Sequence, residues 1–293
     1  MNTHSVALSP AQPIMPPWPG PALPPALVQL AARAHPESVA RVLWRRWSGR
    51  GASGALAGFQ KDSLARAEHI AVPFGEQSLC AYRWRGTGPR VLMVHGWTGR
   101  AATMAALQPT LALEYMDVVA FDAPGCGDSP GRRGSMASFV DSVAAVDRRL
   151  GGFDIVVAQG AGAPAALAAL GSGRAHRWAL LGPADAPRVV ASWCQHLAGQ
   201  RGRDLFGAFD ELVLRRLGVS TDHYGLDRLA SNAAGRLLVA HDPDDQAVPF
   251  AHAQELASMW PGATLVPVQG AGHRGLVHDV GVHVALLEYL RSL

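Results

Sequence analysis

Residues 155–170, Ile155-Val156-Val157-Ala158-Gln159-Gly160-Ala161-Gly162-Ala163-Pro164-Ala165-Ala166-Leu167-Ala168-Ala169-Leu170, change character at their midpoint. The apolar run 155–158 reads as a buried strand. Gly160 and Gly162 let the chain turn sharply, and the small residues over 161–170 read as a helix lying close against its neighbours. A strand passing straight into a helix is the repeating unit of a mainly parallel sheet covered on both faces.

The same rhythm continues outward in both directions. Upstream, residues 90–94 and 118–121 read as strands, followed by helices over 101–114 and 135–150. Downstream, strands are expected over 178–181, 237–240 and 264–268, with helices over 250–260 and 280–290. Residues 70–74 and 79–84 read as an antiparallel entry hairpin turned at Gly75 and Glu76. The fold class is therefore α/β, with a mostly parallel central sheet over residues 68–182 and 233–293.

Composition narrows the functional classes. The 293 residues are 48% hydrophobic and 17% charged, too apolar for a disordered chain and long enough to bury a full core. The 26 basic and 23 acidic residues give a net charge of only +3 with no basic stripe, which argues against a nucleic-acid partner. Cys80, Cys126 and Cys194 lie too far apart for a redox or zinc motif and fit a reducing compartment. No run of 18 apolar residues occurs, and the first 32 residues carry no Lys or Arg, so neither a membrane span nor a signal peptide is expected. The expectation is a cytoplasmic protein.

Two regions stand outside the strand rhythm. Residues 1–67 hold a proline-rich lead over 10–25, a helical stretch over 26–47 broken or restarted at Pro36, and a Gly/Ser/Ala linker over 48–58. The apolar side of the helical stretch implies docking on the main body or on a second subunit, so a homodimer is one possible partner. Residues 183–232 carry helical segments at 189–197 and 205–217 and little strand character. An interval of about 50 residues after a central strand reads as a small helical lid over the carboxyl ends of the sheet, too short to bury a core of its own.

The chemistry-bearing residues fall in loops after strands. His95-Gly96-Trp97 follows the strand at 90–94, and the Trp97 amide is a candidate anion donor. A turn-rich loop runs from Asp122 to Ser129. The Gln159-Gly160-Ala161-Gly162 turn comes next, and the last feature is a separated acid and base, Asp245 and His273. In this combination and order, residues 68–293 resemble the α/β-hydrolase superfamily, in its lid-bearing single-domain form. The resemblance implies Asp245 as triad acid, His273 as base, and the amides of Trp97 and Ala161 as an oxyanion hole. His95, Gln159 and Trp193 are then candidates for the surroundings of an apolar pocket that takes a small organic molecule.

The resemblance fails at one position. Where the family pattern G-x-S-x-G has its serine, this chain has Gly160, which has no side chain to attack a substrate. Ala158 and Gln159 also depart from the pattern, which favours a naturally altered site over a single change. Three readings stay open. His273, oriented by Asp245, could run general acid/base chemistry on a small carbonyl or ester compound, by activating water or by elimination or cyclisation. The protein could instead be a non-catalytic binder, or a serine esterase or amidase altered at Gly160.

Substitute nucleophiles and cofactors are poorly supported. Cys126, Ser129 and Cys194 have no base nearby in sequence, and packing is the ordinary use of each. Gly160, Gly162 and Ala165 also fit a dinucleotide fingerprint, but Pro164 interrupts it and the nearest acid, Asp185, lies beyond Gly182-Pro183. The carboxylates around His241 sit too close together in one loop to converge on an ion, so neither metal nor cofactor is expected.

Overall fold

The computed structural model describes residues 25–48, 55–131, 134–172 and 176–292. The proline-rich lead before Pro25 and most of the linker at 49–54 lie outside those residues.

Eight strands form one sheet in the order β1-β2-β4-β3-β5-β6-β7-β8. They are β1 (Glu68–Phe74), β2 (Gln77–Trp84), β3 (Arg90–Val94), β4 (Asp117–Phe121), β5 (Ile155–Gln159), β6 (His176–Leu181), β7 (Gly235–His241) and β8 (Thr264–Pro267). β1 and β2 pair antiparallel, as does β2 with β4, and every later pairing is parallel. The expected hairpin is present, and Gly75 takes the left-handed conformation (φ 58°) that its tight turn needs.

Alternation along the strands explains why they are apolar throughout. Val156 and Ala158 of β5 enter one buried cluster with Leu92, Val119, Leu180 and Val239. Ile155 and Val157 enter a second, on the opposite face, with Val91, Val118, Ala179 and Leu238. With helices on both faces, neither set of side chains can be polar. Each fully buried Val or Leu contributes roughly 1.5–3 kcal/mol of transfer free energy.

Three stretches differ from expectation. The helix expected over 101–114 is broken into Ala101–Met104, a 3-10 turn Ala105–Leu107 and Gln108–Ala112. Pro109, which has no N–H to donate, sits at the start of the last piece. The linker gives way at Gly58–Ala65 to a short helix, whose start is held by the Gln60 side chain on the Ala57 amide at 3.1 Å.

The third difference concerns the helical interval. Helices Ala186–Ala198 and Gly202–Leu217 share a buried cluster with the N-terminal helices Pro25–Ala34 and Pro36–Trp47 and do not form it alone. Ala32 and Ala40 lie within that cluster beside Val190, Cys194, Leu205 and Phe209. The N-terminal apolar side thus docks on the helices between β6 and β7 within the same chain. Among the described residues, no helix is long and apolar enough to cross a membrane.

Candidate active site

Every loop singled out above leaves the carboxyl end of a strand, where ligands bind in open α/β sheets. Asp245 follows β7, and His273 follows β8 at the start of the short helix Gly272–Gly275. The two side chains meet, with His273 Nδ1 2.8 Å from Asp245 Oδ2. The acid is fully buried, whereas the ring keeps 22% of its surface exposed. An arrangement of this kind leaves Nε2 as the atom available to a ligand.

The Asp245 carboxylate is held ionised. Burial alone would raise its pKa, but hydrogen bonds from His241 and His273 and from the Val248 amide outweigh burial and hold it well below the usual carboxylate range. Its second oxygen accepts from the amides of Ala247 at 2.7 Å and Val248 at 3.0 Å.

His241, at the end of β7 and fully buried, shares the same acid. Its Nε2 lies 3.3 Å from Asp245 Oδ2 and 3.0 Å from the Val248 carbonyl oxygen. Both neighbours are acceptors, so Nε2 carries the proton, and Nδ1 is left buried without a hydrogen-bond partner. Sequence reading assigned no such contact to His241. Its place four residues before Asp245 in a tight loop was the only available signal.

The backbone around His273 is pinned from two further directions. Asp242 accepts from the Gly272 amide, and Gln159 Nε2 donates to the His273 carbonyl oxygen at 3.0 Å. Gln159 is therefore a tie between the end of β5 and the histidine loop. Ring and backbone are fixed together, the preorganisation that proton transfer requires.

Gly160 turns the chain between β5 and the helix Gly162–Leu170 with φ 54°, a left-handed conformation that favours glycine. A Cβ on residue 160 would stand 2.9 Å from His273 Nε2 and 3.3 Å from its Cε1. The imidazole thus approaches into the space where a side chain at this turn would begin. Gly182 (φ 55°) directly follows β6, and a Cβ there would come within 3.2 Å of His273 Nδ1. His273 fits against both strand ends because each carries glycine there; nothing local to Gly182 in the sequence marks it as a neighbour of the histidine.

The remaining candidates are placed as follows. Ala161 heads the helix Gly162–Leu170, so its amide lies at the positive end of the helix dipole. A Cβ on Gly162 would collide with the His95 carbonyl oxygen, which explains that glycine by close approach of helix and strand. His95 is buried, its Nδ1 2.7 Å from the Gly96 carbonyl oxygen and its Nε2 accepting from the Ala123 amide at 3.1 Å. Those bonds join the 95–97 loop to the 122–129 loop.

Trp97 borders a small apolar cavity of about 30 Å³ that Gly160, Ala161 and His273 do not line. Trp193 lies half-buried on the helix Ala186–Ala198 and is not among the residues lining that cavity.

None of the substitute nucleophiles is poised. Cys126 is buried in the core, and burial pushes the Cys194 thiol up to about 12. The Ser129 hydroxyl donates to the Asp122 carbonyl oxygen at 2.6 Å and accepts from the Cys80 amide at 2.8 Å. Asp185 is likewise committed: it caps the helix Ala186–Ala198 and accepts from the Leu226 amide at 2.9 Å.

Residues 91–283 match the model of the alpha/beta hydrolase family. The chain belongs to this family. No curated protein matches it in sequence.

Among solved structures, this alpha/beta hydrolase is similar to Est1E from Butyrivibrio proteoclasticus with ferulic acid bound. The TM-score is 0.58 at 16% identity, over 76% of this chain and 99% of that one. It is also similar to a thermophilic esterase from Thermogutta terrifontis with malate bound, with a TM-score of 0.56 at 19% identity, over 77% and 98% of the chains. An esterase from Rhodococcus gives a TM-score of 0.55 at 19% identity, over 78% and 98%. At such identities the likeness is one of fold. These chains are matched almost whole, while about a quarter of the present chain lies outside each match.

Proposed function

We propose that this protein is an enzyme without a protein nucleophile, in which His273 is the general acid/base for a small carbonyl or ester compound. The observation that carries the proposal is the Nδ1–Asp245 contact of 2.8 Å combined with an Nε2 aimed at the bare turn of Gly160. Ionised Asp245 fixes the tautomer in which Nε2 holds a lone pair, which is the state a base needs.

In hydrolysis, Nε2 takes a proton from water as its oxygen attacks the carbonyl carbon. The Trp97 and Ala161 amides receive the charge that develops on the carbonyl oxygen. The protonated ring then gives its proton to the leaving group as the carbon–heteroatom bond breaks. The same base and amides suit removal of a proton beside a carbonyl, the first step of an elimination or cyclisation. Residues 183–232 serve as the lid over these groups.

Parent protein and His273→Ala should be compared over a panel of short esters, thioesters and β-substituted carbonyl compounds. Turnover by the parent that is lost in H273A is the expected result; equal turnover by both overturns the proposal. Gly160 itself favours a second reading, a non-catalytic binder, and saturable turnover that depends on His273 excludes it. A serine enzyme altered at one position is the least favoured, because the residue-160 Cβ position is too close to Nε2 for the present ring placement.

A further inference from the structure

We propose that Asp122 is a positioning residue for the oxyanion site: its buried carboxylate, outside the reacting space, fixes the loop that carries the Trp97 amide. This rests on the proposed function in treating that amide as the donor to a developing charge.

The loop over residues 95–101 is held at both ends by two consecutive residues that directly follow β4. At one end the Ala123 amide donates to His95 Nε2 at 3.1 Å, and His95 Nδ1 in turn donates to the Gly96 carbonyl oxygen at 2.7 Å. At the other end Asp122 Oδ1 accepts from the Ala101 amide at 2.6 Å. Between these anchors the Gly99 amide closes a turn on the Gly96 carbonyl oxygen at 2.8 Å, and Trp97 lies inside that turn. Where the Trp97 N–H points therefore depends on how firmly both anchors hold.

The chain closes round the Asp122 carboxylate on its other side. The residue is only 2% exposed, Oδ2 accepts from the Asp128 amide at 2.9 Å, and a Cβ on Gly127 (φ 47°) would collide with the carboxyl group. The Tyr82 hydroxyl lies 2.7 Å from Asp128 Oδ2 and 3.3 Å from Asp122 Oδ2, so one proton stands between two carboxylates. No step of the proposed chemistry uses these groups. A buried carboxylate costs stability unless directed donors offset its lost hydration, and the donor that reaches furthest toward the site is the Ala101 amide.

This anchor responds to pH. Burial, joined by the negative charge of Asp128, pushes the Asp122 carboxyl up to about 6 against the hydrogen bonds from the Asp128 and Ala101 amides. The bond to Ala101 is charge-assisted above that pH and a weaker, neutral one below it. The other titratable or charged groups around the carboxylate are Cys80 on β2, His69 on β1, edge-on to Tyr82 at 5.0 Å, His95 on the Ala123 amide, and Arg100, whose guanidinium donates to the Ala55 carbonyl oxygen at 3.3 Å.

The test is the Trp97 backbone amide resonance of the full chain, carrying isotopically labelled tryptophan and assigned by its absence in Trp97→Phe. In the parent it should shift with a midpoint near pH 6, and in Asp122→Asn, whose side chain keeps an acceptor for Ala101 but does not ionise, it should stay flat. Tyr82→Phe, which removes the hydroxyl and keeps both carboxylates, should move the midpoint upward, because that hydroxyl stabilises the ionised form. With a substrate that the parent turns over, D122N should lower kcat several-fold and leave KM unchanged, the pattern of a contact made mainly in the transition state.

A Trp97 amide that stays flat in the parent overturns the inference without any variant having to fold. A titration that persists in D122N, which would belong to a neighbouring histidine, a midpoint unmoved in Y82F, or D122N turnover equal to the parent overturns it as well. Failure of the proposed function shows up separately, as H273A turnover equal to the parent, and leaves the Trp97 titration to decide what holds the loop.

Discussion

The histidine loop and the β5 turn face each other across the site and have been treated oppositely by this sequence. Around His273 every support is in place: the ring on Asp245, the adjacent amide on Asp242, and the carbonyl oxygen under Gln159. Across from it, the turn keeps its left-handed backbone and its packing glycine at 162, yet residue 160 has no side chain. Nor is the space beside Gly160 a mould for a missing serine, since the ring stands too near for a Cβ to enter unopposed. A half-site kept rigid opposite a half-site reduced to backbone is what the proposed chemistry, using the base without a nucleophile, would require.

The strongest way to break the comparison is His273→Ala. It should remove roughly 10²–10⁴-fold of turnover, the range that a positioned acid/base supplies. Asp245→Asn comes next, with an expected loss of about a hundredfold, because an amide no longer enforces the productive tautomer.

Asp245 also predicts a pH signature. Its pKa is depressed in the folded state, so its stabilisation is present above the ordinary carboxylate range and lost only as pH falls through the lower folded value. The stability gap between parent and D245N in urea titrations should therefore be constant from about pH 5 upward and shrink in strong acid. A gap that instead collapses near neutral pH would show that the carboxylate is not held as described.

Gly160→Ser sharpens the comparison from the other side. A serine there must adopt a left-handed backbone, at about 1–2 kcal/mol, and must displace His273 by several tenths of an ångström. The expected outcome is a lower melting temperature and no acyl-enzyme burst with short acyl esters. A burst at serine-esterase rates would make the β5 turn a silenced nucleophile site and reverse the reading of the two regions.

How much of this was legible in the sequence follows from how local each signal is. The strands stand out because apolar runs such as 155–158 are buried on both faces, and the turn at Gly160 because glycines cluster there. Asp245 and His273 were found through family order, not through contact. What escaped were pairings between distant segments. Gln159 and the His273 carbonyl are 114 residues apart, and nothing at position 159 announces the bond. His241 looked like part of an acidic loop, and its role as a second donor to Asp245 emerges only when β7 ends inside the core. Gly182 needed β5 and β6 side by side before its bare Cα could be seen to admit the ring. The N-terminal helices could be assigned their place on the helices between β6 and β7 only in the folded chain, a choice their apolar side left open.

The smallest effect in the series tests whether backbone supports matter separately from the ring contact. Gln159→Leu keeps the side chain's bulk but removes the donor to the His273 carbonyl oxygen. One neutral hydrogen bond is worth about 1 kcal/mol, and because the carbonyl group lies at a partly exposed loop, water can replace part of it. Stability should therefore fall by no more than about 1 kcal/mol in urea titrations. If Gln159 merely fills space, turnover stays at the parent level. If it aims His273, kcat falls several-fold while KM holds, since a ring set slightly off line loses stabilisation made only in the transition state. The second pattern, with Gln159→Glu failing to restore the rate because a carboxylate cannot donate to a carbonyl, would place the β5 turn in the supporting structure of the base it no longer serves with a nucleophile.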